Sequence, residues 1–167
     1  MLDRAAKGLN DVQSLAIESL INFLKRNYIS KRTVEIMKTI IQTFHAAPNF
    51  QNRIVFIEIY NKMAERFSRK FFKAHNLNEL VIKLGDDKVP IIRKKVFENV
   101  VTIRRMLNQN DTVLIVKLDD TLNRARLDKN KTVSEVNFTR DFLIRELGWK
   151  RGIERVKILN TIFLRRI

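Results

Sequence analysis

Apolar residues in this chain recur at a fixed offset of 40 positions. Ala16, Phe56 and Val96 fall in register, as do Ile17, Ile57 and Phe97, then Leu20, Tyr60 and Val100, then Phe23, Met63 and Ile103. Each set belongs to a stretch whose apolar residues repeat at helical spacing. In DVQSLAIESLINFLKRN the expected inner face is Val12, Leu15, Ala16, Leu20, Phe23 and Leu24. In FQNRIVFIEIYNKMAERF it is Ile54, Phe56, Ile57, Tyr60, Met63 and Phe67, and in VPIIRKKVFENVVTIRRML it is Ile92, Val96, Val100, Ile103 and Leu107. These three stretches predict three long amphipathic helices. Shorter helices between them keep the same offset, with Met37 matching Leu77, Ile40 Leu80, Ile41 Val81 and Phe44 Leu84.

The repeating unit is therefore a helix pair, and a pair of this size buries its apolar face only by stacking on neighbours. The expected fold is all-α, a right-handed α-α superhelix of antiparallel pairs, about four of them in a single domain over residues 1–167. A further pair is legible in 112–126 (Leu114, Ile115, Leu118, Leu122) and 133–147 (Val136, Phe138, Phe142, Leu143), then a last helix in 153–165. That last helix carries Ile153, Val156, Ile158, Leu159, Ile162, Phe163 and Leu164 with no strongly polar outer face, so either it turns back as a cap or the chain is a piece of a longer solenoid, the reading favoured here. Only four Gly and two Pro occur, as long helices with short links require.

The absence of cysteine excludes disulfides, thiol nucleophiles and Cys-ligated metals. No stretch is apolar for long enough to span a membrane, so the expectation is a soluble intracellular protein, cytoplasmic and also nuclear. No Gly-rich phosphate loop is present, and His45 and His75 stand alone, 30 positions apart. Asp86-Asp87 and Asp119-Asp120 are neighbours whose side chains diverge. A non-enzyme with no metal, cofactor or small-molecule substrate is expected.

The formal charge is +15, with 14 bases and 7 acids in residues 1–85 and 19 and 11 in residues 86–167, a net +7 and +8. The excess is spread along the chain rather than gathered in an arm, and it favours acidic or polyanionic partners.

GDDKVP is the turn inside a pair: Asp86 or Asp87 is placed to cap the following helix, and Pro90 to enter its first turn. Asp87, Val89 and Arg93 resemble the HEAT repeat, and the turn of Ala47, Pro48, Asn49 and Phe50 with Arg53 repeats the pattern with Asn for Asp. Across about Asn49 to Val96, the residues Arg53, Tyr60, Ala64, Phe71, Phe72, Leu77, Leu80, Asp87, Val89 and Arg93 resemble the HEAT-repeat scaffold subunit of protein phosphatase 2A. The regulatory subunit 4 of protein phosphatase 4 is an equally good match.

That resemblance implies a scaffold or regulatory subunit whose turns grip the catalytic subunit of a serine/threonine phosphatase. It places Phe50 at an aromatic contact position, Gln51 where the family is basic and Pro90 where the family has tyrosine. The candidate partner-binding residues are then Phe50, Gln51, Lys88, Val89, Pro90, and Lys129 and Lys131 on the next turn. If the long helices line the concave side, Lys94, Lys95, Arg104 and Arg105 would join Arg140 and Arg145 in a basic trough for nucleic acid backbone, the alternative partner. Arg93 borders the apolar face and reads as structural.

Overall fold

In a computed structural model the described residues are 2–28 and 30–126, with side chains described for 11–28 and 30–124. Every described element is helical: α1 (Leu2–Arg26), α2 (Lys31–Ile40), α3 (Phe50–Arg66), α4 (Arg69–Ala74), α5 (Leu77–Lys83), α6 (Pro90–Glu98), α7 (Val100–Met106) and α8 (Thr112–Arg126). A π-turn, Ile41–His45, extends α2, and a 3-10 turn, Leu84–Asp86, extends α5. The helices expected in 133–147 and 153–165 lie outside the described residues. The chain divides into two compact units, Met1–Leu77 and Asn78–Ile167.

In the first unit, α3 packs on α1 and on the π-turn. The ladder residues Phe56, Ile57, Tyr60 and Met63 are all buried, as are Phe71 and Phe72 of α4. Tyr60 and Phe72 meet edge to face with centroids 5.1 Å apart, the arrangement that aromatic quadrupoles favour. Helix α1 departs from expectation. Val12 and Leu15 are each 68 % exposed and Phe23 is 37 % exposed, while Ile17, Ile21 and Leu24 are buried. These two stripes lie on different sides of α1, and the packed one is the i, i+4, i+7 stripe led by Ile17. The residues matching Ala16, Leu20 and Phe23 in the later repeats are buried, so equal sequence position does not give equal burial in the first repeat.

In the second unit, α6 packs on the 3-10 turn, α7 and α8, burying Ile92, Val96, Val100 and Ile103 as expected. The stretch expected as one helix is broken at Asn99, which has φ −105° and ψ 9°. The Asn99 side chain donates to Lys95 O at 2.7 Å, the kind of local side-chain bond that competes with the helical ladder. The β-branched run Val100, Val101, Thr102, Ile103 that follows adds no compensating helix propensity.

Gly85, buried in the 3-10 turn, lies under α8: a Cβ built there would overlap the Thr121 methyl. Thr121 is itself buried, with its hydroxyl donating to Lys117 O at 2.8 Å. Gly85→Ala should cost about 1–3 kcal/mol by overpacking. Adding Thr121→Ser, which removes the methyl and keeps the hydroxyl, should recover most of it. Urea titration of both variants checks this, and equal losses in the single and double variants would contradict the packing described.

Candidate docking turns and the basic face

The two pair turns share one hydrogen-bond device. Arg53, only 7 % exposed, folds back from α3 so that Nη1 donates to Ala47 O at 2.7 Å and Pro48 O at 3.0 Å. In the second unit Arg93 Nη1 donates to Asp87 O at 2.7 Å. Arg53 and Arg93 are 40 positions apart, as are Ala47 and Asp87. A guanidinium is suited to this, since each terminal nitrogen carries two hydrogens and Arg53 Nη1 reaches two carbonyls at once. Arg93 is thus structural, as its place beside the apolar ladder suggests.

Each turn also has an Asx bond. Asn49 Oδ1 accepts from Gln51 N at 2.9 Å, and Asp87 Oδ1 from Val89 N at 2.8 Å. Asp87 therefore fixes the turn ahead of α6 instead of capping the helix: the N-cap residue is Val89, which has no side-chain cap, and Pro90 occupies the first turn. Asp86 does not cap either, and accepts from Arg124 of α8 at 2.9 Å.

Around these clamps the candidate contact residues take distinct positions. In the first unit Phe50 is 41 % exposed and Gln51 is exposed, both at the start of α3. In the second unit Lys88 is exposed, whereas Val89 and Pro90 are half-buried. The apolar side chain presented there is Ile91, 46 % exposed. Its signal in the sequence is that it falls off the ladder of Ile92, Val96 and Val100, so it has no inward duty. Lys129, Lys131, Arg140 and Arg145 lie outside the described residues.

The basic face is partly neutralised. Lys94 and Lys95 both approach Glu98, each with Nζ 3.9 Å from a carboxylate oxygen. Arg104 is half-buried and acts on Asp119, while Arg105 is exposed. Burial pushes the Asp119 carboxyl above its ordinary range, Arg104 pulls it back, and Asp120 raises it again. Lys94, Lys95 and Arg104 thus each have a carboxylate nearby.

His45 and His75 sit at helix ends, each against a phenylalanine: His45 edge-on to Phe56 at 5.1 Å, His75 tilted on Phe71 at 4.5 Å. Burial lowers the pKa of His75. Among the described residues no three His, Asp or Glu side chains converge to hold a metal ion, and no helix is long and apolar enough to cross a membrane. A cleft of about 460 Å³ between α1 and α3 is lined by Gln13, Ser14, Ile17, Glu58 and Lys62, and Gln13 Nε2 donates to Glu58 Oε2 across it at 2.7 Å. Compared with protein-family models, curated proteins and solved structures, the chain matches none.

Proposed function

We propose that the chain is a HEAT-like α-solenoid, non-catalytic, that presents its pair turns to protein partners. The observation that carries this reading is the duplicated clamp: Arg53 on Ala47 and Arg93 on Asp87, with an exposed apolar side chain, Phe50 or Ile91, next to each. A rigid turn offering an aromatic or aliphatic knob is suited to protein docking, because little conformational entropy is lost when it is covered. By the resemblance of Asn49 to Val96, the first candidate partner is the catalytic subunit of a protein phosphatase 2A-type serine/threonine phosphatase. The mechanism would be positional, with a stack of helix pairs holding the catalytic subunit relative to its substrates. The basic trough gains less support, since Glu98 and Asp119 stand among its bases.

The test is retention of a purified phosphatase 2A-type catalytic subunit on the immobilised full chain at physiological salt. Phe50→Ala should weaken retention by about tenfold, the size of effect expected of an exposed aromatic anchor, without a change in melting temperature. No retention by the unaltered chain, or full retention by Phe50→Ala, would overturn the phosphatase assignment.

A further inference from the structure

Two octets of the sequence share an unusual composition. Residues 25–32, KRNYISKR, and 66–73, RFSRKFFK, each hold four bases and no acid, with aromatic residues among them. They are 41 positions apart, and the first unit brings them together. Tyr28, between α1 and α2, stacks on Phe67 with centroids 6.1 Å apart and planes 13° apart, and leans on Phe71 at 5.4 Å. Tyr28 OH and Ser68 Oγ are 3.3 Å apart. This aromatic seam ties the segment between α1 and α2 to the start of α4, and so brings the backbones of the two octets together.

Of those bases, Arg66 is held by Glu18 at 2.8 Å, and the Arg32 guanidinium lies over the Phe23 ring at 5.6 Å. Lys25, Arg26, Lys31, Arg32 and Lys70 are all exposed. The nearest acids in sequence are Glu18, Glu35 and Glu65, all outside the octets. Meanwhile Tyr28 leaves 41 % of its surface in solvent. The corresponding segment of the next repeat, 106–113, reads MLNQNDTV and has no base at all. The basic octet thus recurs once, within the first unit, and does not continue into the third segment of the series.

We infer that the Tyr28 seam with its two basic octets is a binding surface for single-stranded nucleic acid. An exposed ring within a lysine- and arginine-rich segment supplies the two things such a strand needs, a stacking platform for a base and counter-charge for the phosphates on either side. A duplex offers its phosphates but keeps its bases stacked internally, and an acidic peptide has no flat base to lay on the tyrosine. This surface is separate from Phe50 and Ile91, and the inference is independent of the phosphatase reading.

Fluorescence anisotropy of the full chain with a labelled oligothymidylate of about twelve nucleotides, titrated with salt, tests it. Tyr28→Ala should weaken binding about tenfold, and Tyr28→Phe should stay within about twofold, since the ring and not the hydroxyl stacks. Replacing Lys31, Arg32 and Lys70, all exposed, by glutamine should reduce the slope of log affinity against log salt by about 2. Three results would overturn the inference: no binding by the unaltered chain at low salt, equal affinity for Tyr28→Ala, or equal competition by duplex DNA or polyglutamate. Circular dichroism of Tyr28→Ala, Tyr28→Phe and the glutamine variant confirms that each comparison is made between folded proteins.

Discussion

Phe72→Ala should lower the stability of the fold by about 4 kcal/mol. Phe72 is wholly buried and meets Tyr60 edge to face, so truncation removes both the transferred apolar surface and the aromatic contact and leaves a cavity. The effect should exceed an ordinary core truncation because of where the residue lies. Helix α4 has six residues, well below the length at which a helix persists without tertiary contacts. It is held in place by Phe71 and Phe72. Urea titration followed by circular dichroism measures the loss, with exposed Phe50→Ala as the comparison at under about 0.5 kcal/mol. A loss below about 1 kcal/mol for Phe72→Ala would mean that α4 does not pack as described.

Arg53→Ala should cost about 3 kcal/mol, nearly as much, through a different mechanism. Here no large cavity is at issue. The carbonyls of Ala47 and Pro48 lose a charged donor in a place where Arg53 itself is 7 % exposed, and a buried acceptor without a partner retains its desolvation penalty. Arg53→Lys should recover only part of the loss, because the shorter lysine does not put its ammonium where Nη1 meets both carbonyls and it is more costly to desolvate. Arg93→Ala should cost less, about 1–2 kcal/mol, since Arg93 is half-buried and water can replace it at Asp87 O. If Arg93→Ala proves the more damaging of the pair in the same titration, burial is not what sets the worth of the clamp.

The helices and their spacing were legible because period and offset are local properties. Ile57, Tyr60 and Met63 at one helical face, Pro90 at a helix start and Leu77 opening a short helix all follow from residue type and interval. Burial in α1 was not legible. Whether Val12 or Ile17 turns inward depends on which neighbour is present, and the apolar residues of α1 cover more than one side of the helix. The break at Asn99 was missed for a related reason, since the apolar rhythm of Ile92, Val96, Val100 and Ile103 runs through it undisturbed while the asparagine side chain captures Lys95 O. Among the candidate contacts, Phe50 comes from the family resemblance alone, whereas Ile91 is visible only by its absence from the ladder. The two basic octets were present in the sequence all along. Averaged over half the chain their charge looked diffuse, and only the contact of Tyr28 with Phe67 and Phe71 makes them one surface.

The clamps at Arg53 and Arg93 take hold of main-chain oxygen atoms, which every amino acid carries. Ala47, Pro48 and Asp87 serve as acceptors regardless of their side chains. Apart from the Asx side chains of Asn49 and Asp87, substitutions that retune an outward-facing side chain leave the acceptor chemistry unchanged. The side chain displayed at Phe50 or Ile91 can then change while the arginine contacts to the main chain stay the same.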